Sequence, residues 1–172
     1  MEQLYIKLFP IEPDDVDNMI YLNCKKVSWI QPEHLFKIEN DFMFENFISD
    51  ITELFEKIQK EKCPRKKFIY LEEIFQCINN LNIFNGLKTD GIDGELPVLH
   101  FGMIKAKPQK INSNCEFLKL FLGDKKGKGE ESHLTQILLI STQVSKLTNK
   151  VFINVSEHEF QEKSKQNLLK FI

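Results

Sequence analysis

An all-α fold, a compact layered bundle of about seven helices, is what this 172-residue sequence predicts, and three observations carry the prediction. Helix breakers are scarce: seven Gly and six Pro, well below the roughly 12% of an average protein. The chain holds 15 Phe but only six Val, a set suited to helices packed by large unbranched side chains rather than to sheets. Apolar residues recur at steps of three and four through most of the length, the period of one helical face.

Taken in order, Pro10 and Pro13 frame a short opening, and Asp14-Asp15 reads as the cap of a helix running toward Trp29. Acids there accept the free amide donors of the first turn and suit the helix dipole. Gln31-Pro32 stops it. The clearest helix follows, with Phe44, Phe47, Ile48, Ile51, Leu54, Phe55 and Ile58 on one face and Glu45, Asp50, Glu53, Glu56 and Lys57 on the other. Pro64 suits the first turn of a third helix, in which Phe68, Leu71, Ile74, Phe75, Ile78 and Leu81 repeat the spacing. Asn85-Gly86 ends it, and a loop over 87–92 leads to a fourth helix over 95–106. Its Leu96, Val98, Leu99, Phe101, Met103 and Ile104 cover most of the circumference, which places this helix in the middle of a fold or at an interface. After Lys107-Pro108, Ser113 reads as the cap of a short helix containing Phe117, Leu118 and Phe121. A glycine- and lysine-rich loop over 123–129 precedes a sixth helix over 132–147. Ser156-Glu157-His158-Glu159 has the capping-box pattern of a last one over 156–172, and Val151-Phe152-Ile153 is the only strand-like stretch.

Composition removes several function classes. With 42% apolar residues and 25 acids against 23 bases, the chain is too apolar and too nearly neutral to be disordered, and a net charge of −2 gives no reason to expect a nucleic-acid partner. One domain over 1–172 is the expected organisation. Four cysteines without a CxxC pair, no basic-then-apolar leader and a longest aliphatic run of four residues against the roughly 20 of a membrane span predict a reduced, cytoplasmic protein without a transmembrane segment. None of His34, His100, His133 and His158 sits at metal-ligand spacing, and Gly123-Asp124-Lys125-Lys126-Gly127-Lys128 is one residue too short for a phosphate-binding loop. No nucleophile, base and orienting acid assemble from spacing, so a binding module with neither metal nor cofactor is expected.

The most specific stretch is Gly91-Ile92-Asp93-Gly94-Glu95-Leu96-Pro97-Val98-Leu99-His100, continuing through Ile104-Lys105-Ala106-Lys107-Pro108. Asp93 has two readings: an N-cap for the amides that follow, or an acidic finger projecting toward a cationic partner. The stretch resembles the Vps-nine (vacuolar protein sorting nine) domain of nucleotide exchange factors for Rab-five-type endosomal GTPases. That family carries an acid-acid-hydrophobic-Leu-Pro-Val-Leu block running into Ile-Lys-Ala-x-Pro. Ser28-Trp29-Ile30-Gln31-Pro32-Glu33-His34-Leu35, Pro64-Arg65-Lys66-Lys67, Ser113-Asn114 through Phe121, Gly129-Glu130-Glu131 and Val155-Ser156-Glu157-His158-Glu159-Phe160 are each similar to further family elements in the same order. The core resemblance runs over about 14–162.

What the resemblance implies is an all-α exchange factor without covalent chemistry, peripherally recruited to endosomal membranes in endocytic vesicle trafficking. Asp93 matches the family's acidic finger and Pro97 its helix proline, but Gly94 replaces the second acid and Glu95 the usual hydrophobic residue. The family then has Gly-Glu-x-x-Tyr-x-x-Thr, with Tyr and Thr on the GTPase; here the run is Gly129-Glu130-Glu131-Ser132-His133-Leu134-Thr135-Gln136. Ungapped, the Thr slot falls on Gln136; with one residue deleted it falls on Thr135, the preferred match because the following helix then keeps the family spacing. The Tyr slot falls on Ser132, or on His133 if the turn repacks. Leu139 and Thr142, four and seven positions after Thr135, share its face and would line an apolar groove for the GTPase, Leu139 alternatively being core. The catalytic set is therefore Asp93 and Thr135, and the partner-binding set Pro97, Ser132, His133, Gln136, Leu139 and Thr142. A non-catalytic adaptor that binds a GTPase or another protein is the alternative, favoured by the missing Tyr, Gly94 and Glu95.

Overall fold

The computed structural model describes residues 12–37, 44–86, 92–122 and 128–171. Seven α-helices make up most of these stretches: α1 (Asp15–Lys26), α2 (Phe44–Lys60), α3 (Pro64–Phe84), α4 (Ile92–Ala106), α5 (Ile111–Lys119), α6 (Lys128–Ser145) and α7 (Glu157–Leu169). Single 3₁₀ turns at Pro32–His34 and Asn149–Val151 flank α1 and α7. Among the described residues there is no strand, as the all-α reading requires. Pro10, the 87–91 part of the predicted loop and the 123–127 part of the lysine-rich loop lie outside the described residues.

Helix α2 shows how sequence becomes packing. Phe44, Phe47, Ile51, Leu54, Phe55 and Ile58 are all buried, and the charged face carries Glu53–Lys57 and Glu56–Lys60 pairs at i,i+4. Those exposed pairs add little to stability; the apolar stripe, laid against α3 and α4, holds the helix. Helix α4 runs through the centre. It touches α1, α2, α3 and α6, and its Val98, Leu99, Phe101, Met103 and Ile104 are at most 1% exposed. Where α4 crosses α2 the approach is close, for a Cβ at Gly102 would collide with the Ile51 Cδ1.

Several predicted boundaries move, each for a packing reason. Helix α4 begins at Ile92 rather than at 95, which puts Asp93 inside the first turn instead of at the N-cap, and Pro97 in the helix body instead of its first turn. Asp93 and Glu95 suit the dipole at that end. Pro97 has no N–H for the Asp93 carbonyl, and the neighbouring Gly94 carbonyl accepts a hydrogen bond from Asn82 Nδ2 at 3.1 Å. Ser113 is not the cap of α5, which starts at Ile111. A buried carboxylate from another helix does that work: Asp17 of α1 accepts from the backbone N–H of Asn112 (2.7 Å) and of Ser113 (3.3 Å) and from the Ser113 hydroxyl. Helix α1 stops at Lys26, short of Trp29, because the chain turns to bury Val27 and Ile30 completely. Helix α6 spans Lys128–Ser145 rather than 132–147: Glu130 and Glu131 extend its acidic first turn, and Asn23 of α1 closes its end on the Val144 and Ser145 carbonyls at 2.9 and 3.1 Å. The Val151-Phe152-Ile153 stretch forms no ladder; instead the Ile153 N–H donates to the His34 carbonyl at 2.6 Å, pinning the two 3₁₀ turns together. The Asp14 and Ser156 caps form as read, accepting from Asp17 and Glu159 N–H.

One buried cation joins three helices. Lys67 of α3 is 0% exposed; its ammonium donates to the Ile58 carbonyl in the last turn of α2 and to Asn114 Oδ1 of α5, and lies over the Phe117 ring. That carbonyl is one of the four a helix end leaves without an internal partner. Burial pushes the Lys67 ammonium down to about 8, still protonated at neutral pH. Lys67→Met should keep the packed volume but leave the Ile58 carbonyl and Asn114 without this donor, lowering unfolding free energy by about 2–4 kcal/mol in urea titration. A variant as stable as the parent would exclude this role.

Candidate functional site

Helical spacing puts Asp93, Leu96, Pro97 and His100 on one face of α4, and Leu139, Thr142 and Gln143 on one face of α6. Between the two helices lies an open, predominantly apolar groove of about 570 Å³, walled by Leu96, Pro97 and His100 on one side and by Ile140 and Thr142 on the other. Leu35 and Val151, brought together by the pinned 3₁₀ turns, close one end. One turn before Pro97, Asp93 is exposed, and among the described residues no ion pair neutralises it.

Helix α6 presents its residues unequally. Thr135, Leu139 and Thr142 are exposed along one row, and Leu139 at 43% exposure is a surface residue rather than core. The hydroxyls of Thr135 and Thr142 donate back to the Glu131 and Leu138 carbonyls of their own helix, at 2.7 and 2.9 Å. Gln136, only 4% exposed, faces inward, and its Nε2 donates to the Glu95 carboxylate at 3.0 Å. His133 also turns inward and stacks on the Phe75 ring, centroids 4.0 Å apart and planes within 9°. Burial lowers its pKa, with Glu95 and Glu72 pulling it back up. Ser132 is half-buried at the start of the same helix. Asp93, Pro97, Thr135, Leu139 and Thr142 thus lie on outward-facing surface of α4 and α6, whereas Gln136 and His133 are held against the core.

Two residues at the site, Asn82 and His100, escaped sequence reasoning, as did the pairing of Glu95 with Gln136. Asn82 is fully buried beneath the start of α4, holding the Gly94 carbonyl with its amide while its Oδ1 has no partner among the described residues. The signal was available: Asn82 falls four residues after Ile78, on an apolar face. Glu95 and Gln136 form a cross-link between α4 and α6 that local spacing could not pair. His100 occupies an apolar position of α4 and is 3% exposed. Among the described residues, no group of His, Cys, Asp and Glu could hold a metal ion, and no helix is long and apolar enough to cross a membrane.

Residues 48–149, more than half of the chain, match the family model of the vacuolar sorting protein 9 (VPS9) domain. The chain belongs to the VPS9 domain family. It is 28% identical over 170 residues to vacuolar protein sorting-associated protein 9A of Arabidopsis thaliana, covering 94% of this chain and 32% of that protein. To the protein of the same name from Oryza sativa subsp. japonica it is 26% identical over 171 residues, covering 95% and 35%. Vacuolar protein sorting-associated protein vps901 of Schizosaccharomyces pombe is 23% identical over 163 residues, covering 91% and 27%. The chain spans about a third of the length of the curated relatives it matches. The VPS9 match takes in α3, α4, α5, most of α2 and all of α6, hence both walls of the groove.

Burial leaves a pH signature at this VPS9 groove. The His100 imidazole is pushed down to about 4 by desolvation. Between that value and the ordinary 6.5 the unfolded chain binds a proton that the folded chain does not, so this group's contribution to stability falls as pH drops through the window. Wild type minus His100→Leu should therefore change by about 1.4 kcal/mol per pH unit between pH 6 and 4.5 in urea titration. A pH-independent difference would place His100 in water.

Proposed function

We propose that the chain catalyses GDP release from a small GTPase of the Rab-five endosomal type, with Asp93 as an acidic finger and the α4–α6 groove as the docking surface. The observation that carries this reading is the exposed, un-neutralised carboxylate of Asp93 one turn before the groove wall, on a helix otherwise fixed in the core. A small GTPase holds its nucleotide through magnesium, a phosphate-binding lysine and a phosphate-cradling loop. Asp93 would meet that lysine and the vacated magnesium position, replacing phosphate charge with carboxylate charge; such charge-assisted contacts are shorter and stronger than neutral ones. Accelerating release 10⁴-fold needs about 5.5 kcal/mol of differential stabilisation. Burying switch residues along Pro97, Leu139 and Thr142 contributes binding, and the carboxylate contributes the part specific to the nucleotide-free state. The one-domain organisation of the chain, cytoplasmic residence and peripheral recruitment to endosomal membranes belong to the same proposal.

The adaptor reading keeps one supporting observation: His133 is stacked on Phe75 and Ser132 is small, so neither Tyr slot offers an exposed aromatic ring. The two readings part in a single assay. Fluorescent-GDP release from a panel of Rab GTPases should accelerate on a Rab-five-type member, and Asp93→Ala should lose most of that acceleration, on the order of 100-fold or more, at unchanged melting temperature. Full activity in the variant would remove the acidic finger, and tight binding without release would establish the adaptor.

The α6 register is tested separately. Thr135 is exposed and Gln136 is buried against Glu95, so Thr135→Ala should reduce exchange by about tenfold at constant stability. Gln136→Ala should instead lower stability, by about 1–2 kcal/mol, because Glu95 loses its hydrogen bond. A larger exchange defect in a fully stable Gln136→Ala would shift the contact to that residue.

A further inference from the structure

His100 stands apart from everything around it. The groove wall it belongs to is otherwise apolar on the α4 side, Leu96 and Pro97, and its ring leans against Phe152 at 6.2 Å between centroids. The side chain is 3% exposed, and its buried Nε2 has no hydrogen-bond partner among the described residues. Most buried polar atoms in folded proteins are paired, and one that is not costs stability. Leucine or isoleucine would fill the same space without that cost, so the free domain gains nothing from an imidazole here.

We propose that His100 is a specificity-determining residue of the groove: it hydrogen-bonds the polar tip of an otherwise apolar GTPase side chain that fills the groove on docking. The inference rests on the GTPase-docking reading above. The lining sets the chemistry of the occupant. The trough is largely apolar and its other polar lining residues, Thr142, Gln143 and Lys146, are exposed on the side away from the α4 wall, so next to that wall the imidazole selects an apolar body ending in a hydrogen-bonding group. The imidazole is neutral at physiological pH, so it presents one donor and one acceptor nitrogen. A hydroxyl satisfies either tautomer because it donates and accepts, and a phenol supplies both the apolar body and that tip. A GTPase with a plain hydrocarbon at this point leaves the imidazole unpaired in the complex and is discriminated against; a site built to hydrogen-bond a hydroxyl rejects the analogue lacking it more strongly than an apolar pocket rejects an extra methylene.

The test uses the whole chain, the GTPase it activates best, and His100→Leu and His100→Gln. His100→Leu should melt at a higher temperature than wild type, yet lose about tenfold in kcat/KM for GDP release on that GTPase. His100→Gln, which restores an amide near the Nε2 position, should recover part of the loss. Replacing in turn each tyrosine of the GTPase switch segments with phenylalanine should find one that reduces wild-type exchange but has no further effect in His100→Leu, the non-additivity of a direct contact. Unchanged exchange in His100→Leu, a lower melting temperature in that variant, or purely additive losses would each overturn the assignment. A wild-type chain inactive on every GTPase would instead remove the docking reading itself.

Discussion

Helix α4 has almost no side it can give to water. Five of its residues between Val98 and Ile104 are at most 1% exposed, and a helix of that kind is stable only when neighbours cover it on several sides. The remaining chain meets this constraint: α1, α2, α3 and α6 all pack against α4, and the Cys24 thiol of α1 lies 3.5 Å from the Met103 carbonyl. That burial anchors α4 from Val98 onward, and Asp93 projects from the exposed first turn that precedes it.

A second layer of order comes from the helix ends. Each end leaves carbonyls or amides without partners, and in this fold neighbouring helices supply many of them. Lys67 serves the end of α2, Asn23 the end of α6, and Asp17 the start of α5. Asn167 of α7 donates to the Lys25 carbonyl at 2.7 Å, closing α1. These bonds do two things at once: they satisfy buried backbone groups and they fix how far one helix slides along the next. The burial cost falls on the charged members, and it raises Asp17 above the usual carboxylate range, the Ser113 hydrogen bonds pulling it partly back.

The site inherits its form from this packing. Helix α6 must send Leu134, Ile137, Ile140 and Val144 into the core, which turns Thr135, Leu139 and Thr142 outward as a row. Glu95, where the family has a hydrophobic residue, is matched by Gln136, which it accepts a hydrogen bond from, and by His133, whose charge balance it influences. Polar contact through Glu95 thus joins α4 to α6 beneath the outward-facing row.

Composition, periodicity and capping residue types determined the all-α class, the core faces of α2 and α3, the central burial of α4 and the Asp14 and Ser156 caps, because each depends on local sequence and on residues three or four apart on the same helix. The resemblance of the Asp93–Leu99 block to the family pattern singled out Asp93 and Pro97. Tertiary structure decided what depends on groups far apart in sequence. Asp17 caps α5 from 95 residues away, which displaced Ser113 from that role, and Asn82 supports a first turn of α4 that local signals would have started later. Whether Thr135 or Gln136 faces outward was open in the sequence, since adjacent residues on a helix differ by about 100° and only the packed neighbour fixes the rotation. His100 belongs to the same class: its residue type was visible, but that its Nε2 would be buried with no partner among the described residues is a property of the surroundings, set only once α4 is enclosed.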